Sequence, residues 1–133
     1  MGGTHIILYT DNPIVVKMAS EAFGRPSERL TVCESGMELL AMARALAADA
    51  AILDLGVHGL SGLLLVSAIE ELAPDLPIAA VTVRQDMDPR PVLQRGIPCA
   101  VLDPGASAAA PGRLRELVAD ARQVLAAGSV KSH

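Results

Sequence analysis

The chain is almost without aromatic side chains: Tyr9 and Phe23 are the whole set, and tryptophan is absent. No platform is left on which single-stranded bases could stack, and the core must be built from Leu, Ile, Val, Ala and Met. Cysteine is equally sparse. Cys33 and Cys99 form no C-x-x-C pair, so neither a zinc site nor a redox motif is indicated. No apolar run approaches a membrane-spanning length. The N-terminus also lacks the basic, apolar and cleavage-site order of a signal peptide. A cytoplasmic protein with reduced thiols is the expectation. Cations are outnumbered, 11 against 15 acidic residues for a net charge of −4, which disfavours direct contact of this segment with duplex nucleic acid.

Hydrophobic residues make up 51% of 133, which suits one domain with a real core. Residues 5–9 form a short apolar run closed by Thr10-Asp11-Asn12-Pro13. Pro13 fits a first helical position and Asn12 its cap. Val15, Met18, Ala19, Ala22 and Phe23 then recur at helical spacing until Gly24 and Pro26. Residues 30–33 read as a second strand. Ser35 and Glu38 have capping-box spacing before a stripe of Leu39, Leu40, Ala43, Leu46 and Ala47. A third strand over 50–53 ends at Asp54, and an apolar helix over 62–72 follows a loop. Residues 77–83 read as a fourth strand. Pro89 and Pro91 keep any helix over 86–95 short or irregular, and 98–102 is the fifth strand. A Gly/Ala/Ser/Pro stretch over 104–112 leads to a last helix marked by Leu114, Leu117, Val118, Ala121, Val124 and Leu125.

Short apolar strands alternating with helices imply a parallel sheet covered on both faces. Right-handed crossovers then favour an α/β, doubly wound, flavodoxin-like (βα)5 domain with strand order 2-1-3-4-5. The domain is expected over 1–127, with 128–133 as a tail or the start of a linker. Cys33 and Cys99 then fall on opposite edges and read as small buried hydrophobes.

Ligands of such sheets bind beyond the carboxyl ends of the strands. Asp11, Asp54, Thr82 and Asp103 all stand there, each behind an apolar run. Asp11 and Asp54, with a backbone carbonyl such as that of Gly56, are a candidate Mg²⁺ set. A carboxylate beside such a cation can accept a phosphoryl group, and the Thr82 hydroxyl could hydrogen-bond its oxygens. Each residue also has a plainer reading. Asp54 could end a strand, Asp11 could help cap a helix, and Thr82 could be an ordinary β-branched strand residue. Asp103 could close a turn on local amides, and a lone loop histidine such as His58 is usually solvated.

Tyr9-Thr10-Asp11-Asn12-Pro13 resembles the acidic turn after the first strand of response-regulator receiver domains. Ile52-Leu53-Asp54-Leu55 with Gly62 is similar to their phosphorylation segment. Pro77-Ile78-Ala79-Ala80-Val81-Thr82 is similar to the strand carrying their hydroxyl, and the run from Gly96 to Pro104 resembles their fifth strand. The resemblance implies Asp54 at the phosphoryl-acceptor position, Thr82 as a phosphoryl contact, and Mg²⁺ held by Asp11, Asp54 and Gly56. The departures fall on the same site. Thr10 stands for the first of two acids, Asp103 for the lysine before proline, and Ala100 for the aromatic switch residue. Val83 replaces a small residue and His58 a proline.

A carboxylate in place of a cation reverses the local field. Two like charges about 4 Å apart repel by roughly 4 kcal/mol at an effective dielectric of about 20. The expectation is therefore a pseudo-receiver of a two-component phosphorelay, not an enzyme, in which Mg²⁺ is weak or absent. It would work through contacts with a histidine kinase, an output domain or a second copy of itself. A conventional Mg²⁺-dependent phosphoreceiver is the alternative, as is the N-terminal domain of a helix-turn-helix transcription regulator. A small-molecule enzyme is more remote: there is no Gly-rich phosphate loop, no nucleophile elbow and no organic-cofactor motif.

Overall fold

The computed structural model describes residues 3–45, 48–56, 62–83, 88, 90–103, 105 and 109–131, with backbone only at 62–63 and 128–131. Leu46, Ala47, His58, Pro89 and Pro104, named above, lie outside the described residues. Strands and helices alternate as β1 (Thr4–Tyr9), α1 (Pro13–Ala22), β2 (Glu28–Cys33), α2 (Gly36–Arg44), β3 (Ala50–Asp54), α3 (Gly62–Leu72), β4 (Ile78–Thr82), α4 (Arg90–Gln94), β5 (Cys99–Val101) and α5 (Ala110–Lys131). All strands are parallel, in the order β2-β1-β3-β4-β5. This is the expected doubly wound arrangement, with Cys33 and Cys99 on opposite edges.

The pleat sorts the core into two layers. Ile6, Leu8, Ile52 and Val81 face one way and pack with Val15, Met18, Leu114 and Leu117 of α1 and α5. Ile7, Leu53, Ala51 and Ala80 face the other way and meet Leu39 of α2, Leu65 and Ile69 of α3, and Val92 of α4. Alternation of side chains along each strand produces this split, and near-continuous apolar runs are what a sheet buried on both faces requires. Alanines at 50, 51, 79 and 80 let helices approach the central strands closely, which suits a core with almost no rings.

Helix ends follow their local chemistry. Asn12 caps α1 by accepting the Ile14 amide, and Ser35 caps α2 by accepting the Glu38 amide. α4 stops at Gly96, whose φ of 81° suits glycine. There the Ile97 amide reaches the Val92 carbonyl and the Gly96 amide the Leu93 carbonyl, the paired bonds of a Schellman turn.

Strand ends differ from the sequence reading by a single residue, and two elements, β2 and α5, by more. β2 begins at Glu28, because at the edge of the sheet Arg29 stands exposed while the Glu28 carboxylate is paired with Arg115 of α5. α5 spans Ala110 to Lys131, including Pro111, Gly112 and Gly128. Proline in a first turn sacrifices no helical hydrogen bond. A helical glycine costs only about 1 kcal/mol against alanine without breaking the ladder. Among the described residues no helix is long and apolar enough to cross a membrane.

Candidate functional site

β1 and β3 are neighbours, with Tyr9 opposite Leu53. One step further along both strands therefore sets Thr10 beside Asp54, at the carboxyl edge of the sheet. Both are buried, 1% and 4% exposed. The Thr10 hydroxyl donates to Asp54 Oδ2 at 2.6 Å and accepts the Asn12 amide at 3.0 Å. A hydroxyl that accepts an N–H on one side has its own proton left for the other, so the direction of the bond is fixed. The second carboxylate oxygen, Oδ1, accepts the Gly56 amide at 2.9 Å. Asp54 is thus clasped from β1 and from its own turn, and through Asn12 the clasp reaches the N-terminus of α1.

The other expected residues are placed around this pair. Asp11 is exposed beside it. Burial raises the neighbouring Tyr9 phenol above its ordinary pKa, and the Asp11 and Asp54 carboxylates push it the same way. Thr82 is fully buried at the end of β4, and its carbonyl accepts the Leu102 amide at 2.7 Å. Asp103 is exposed, and its Oδ1 closes on the Gly105 amide at 2.8 Å, the local-turn alternative. Ala100 is buried opposite Val81 in the layer under α1 and α5, where it offers no large side chain to move. The structure therefore joins Thr10, Asp54 and Gly56 by hydrogen bonds, keeps Asp11 adjacent, and turns Asp103 onto its own loop.

Asp11, Asp54 and the Gly56 carbonyl are the groups that would hold Mg²⁺ here. Asp54 Oδ2 already takes the proton of the Thr10 hydroxyl, and Thr10 itself is neutral. Among the described residues no group of three His, Cys, Asp or Glu side chains could hold a metal ion. No salt bridge joins Asp54 to a described cation. Among the described residues its partners are a hydroxyl and a backbone amide.

Two features escape a reading of the sequence. The Thr10–Asp54 bond depends on strand register, although a hydroxyl residue and an acid following neighbouring strands is a signal that could have found it. The second is a cluster on Arg115 of α5. Its guanidinium binds Glu28 at 2.9 Å, donates to the carbonyl of Ala22, and lies 5.6 Å from the Phe23 ring centre.

The sequence matches the family model of the response regulator receiver domain over residues 6–102. None of the curated proteins matches it. Among solved structures, it is similar to the response regulator domain of Thermotoga maritima CheB, at 17% identity over 92% of this chain and 96% of that one, with a TM-score of 0.68. It is also similar to a CheY-like receiver domain protein from Methanospirillum hungatei, at 14% identity, 92% and 98% coverage and a TM-score of 0.71. For the RcsB response regulator of Salmonella typhimurium the values are 24%, 92% and 61%, and 0.70. At these identities the structural likeness is one of fold, while the family match rests on the sequence. The chain belongs to the response regulator receiver domain family.

Proposed function

We propose that this receiver is a degenerate member of two-component signalling: Asp54 keeps the acceptor position, and output comes through protein–protein contacts without phosphoryl switching. The observation that carries the reading is the buried bond from the Thr10 hydroxyl to Asp54 Oδ2. It gives the carboxylate a permanent neutral partner in place of a cation. Asp103 closing its own turn supports the same view, because no cation stands at that position to meet a phosphoryl group. Ala100 supports it too, since movement of Thr82 would draw no large side chain inward. In this reading Mg²⁺ binds weakly or not at all, the domain is not an enzyme, and it acts in the cytoplasm. Its partner is a histidine kinase, an output domain or a second copy.

Incubation with acetyl phosphate or phosphoramidate and Mg²⁺, followed by mass analysis, tests this. The expected result is no adduct on Asp54. Stoichiometric, Mg²⁺-dependent modification would contradict it and favour the conventional phosphoreceiver, in which Thr82 contacts the phosphoryl oxygens and Asp54→Asn abolishes the adduct. That second reading is favoured by Asp11, Asp54 and Thr82 all standing at carboxyl ends of strands. Whether the domain forms the N-terminal part of a DNA-binding regulator is decided by the reading frame beyond His133. The RcsB regulator, of which the alignment covers 61%, is the relevant comparison.

A further inference from the structure

We infer that Thr10 is the residue that makes this site independent of metal: its hydroxyl occupies the place on Asp54 that a divalent cation would take. The inference rests on the degenerate-site reading above and assigns its cause to one side chain.

The argument is one of donors and acceptors. At position 10 the side chain meets two demands at once, accepting the Asn12 amide and donating to Asp54 Oδ2. A hydroxyl does both. An ionised carboxylate can accept the amide but has no proton to donate, so at the same position it would face Asp54 as a second anion. Two carboxylates in such contact ionise together only with a cation between them. Asp11 follows immediately in sequence and is exposed at the same edge, so a cation placed there would have a third oxygen donor within the turn. Thr10→Asp therefore converts a self-satisfied pair into two carboxylates that must either share a proton or take up a divalent ion, and the ion stabilises the fully charged pair. Thr10→Val removes the donor and supplies no ligand, while Thr10→Ser keeps the hydroxyl.

Thermal melting of the wild type and the three variants, with and without Mg²⁺ and with Mn²⁺ as a second probe, tests the assignment. The wild type and Thr10→Ser are expected to melt at a temperature that neither ion changes. Thr10→Val is expected to melt lower and stay indifferent to both ions. Thr10→Asp is expected to melt lower without metal and to recover on addition. The rise should reach about 10 °C when the ion stands about 100-fold above its Kd.

A wild-type melting point that climbs with Mg²⁺ overturns the inference. So does a Thr10→Asp chain that folds without responding to metal, or one that stays unfolded at saturating Mg²⁺. If Thr10→Asp stays unfolded until metal is added, that supports it. The two readings fail separately. A wild type indifferent to Mg²⁺ in melting, yet phosphorylated on Asp54, would refute the functional reading and leave the role of Thr10 standing.

Discussion

Glu28 and Asp54 are carboxylates at opposite ends of the sheet, held by opposite kinds of partner. Glu28 opens β2, with its side chain 7% exposed. It receives the Arg115 guanidinium on both oxygens, at 3.1 Å and 2.9 Å, and the Arg25 amide at 3.1 Å. The hydrogen bond from Arg115 leads the effects that hold its pKa below the ordinary carboxylate value. Asp54 closes β3 and, among the described residues, receives a hydroxyl and an amide. One carboxylate has a permanent counter-charge that ties α5 to β2 and to the end of α1. The other is satisfied in number of hydrogen bonds but not in charge. The fixed pair braces the architecture, whereas Asp54 stands at the carboxyl edge of the sheet with only neutral partners among the described residues.

Breaking the fixed pair should have the larger effect. Arg115→Ala strips Glu28 of its cation, the Ala22 carbonyl of a donor and Phe23 of its stacked guanidinium. Stability should fall by about 2–3 kcal/mol, less than for a fully buried pair because Arg115 is about one-third exposed. A shift of the urea midpoint at constant slope reads this. Thr10→Val comes next. It removes the hydrogen bond to the buried Asp54 charge and the acceptor of the part-buried Asn12 amide, and a loss of about 2 kcal/mol is expected at neutral pH.

A pH series sharpens the contrast. The lowered pKa of Glu28 means that its contribution is present above the ordinary carboxylate pKa and is lost as pH falls through the depressed value. The wild type should lose melting temperature over that acid window, and Arg115→Ala should lose less. At the alkaline end the sign reverses for Tyr9. Its raised pKa gives a contribution that is present below the ordinary phenol value and lost as pH rises through the raised one. Asp54→Asn should change least, by about 1 kcal/mol or less. The amide oxygen can still take a hydrogen bond, and no cation is left unpaired by removing the charge.

The same contrast explains how far the sequence could be read. β1, β3 and β4 were legible because an apolar run between helices has few other uses, and a polar residue closing each run marked the crevice. The two-sided core followed from alternation alone. The start of β2 was not legible, since Glu28 and Arg29 read as loop. Glu28 belongs to a strand because a partner 87 residues away neutralises it, and Arg29 because its side chain stands exposed at the sheet edge. No local pattern encodes that distance. α5 was read too short because Pro111, Gly112 and Gly128 are breakers by type, whereas their effect depends on position in the helix. At the site, Asp54 and Thr82 were legible as strand-end residues. Thr10 was legible only as a missing acid, and its positive role as the donor to Asp54 needed the β1–β3 register.

The most direct test follows the amides of Gly56 and Asn12 by NMR while Mg²⁺ and acetyl phosphate are added to the wild type. These two N–H groups report on the Asp54 clasp, one bonded to Oδ1 and the other to the Thr10 hydroxyl. If Thr10 holds Asp54 in place of a metal, neither resonance moves and no adduct forms. A saturating shift of both amides with Mg²⁺, followed by a second shift with phosphoryl donor, would contradict it.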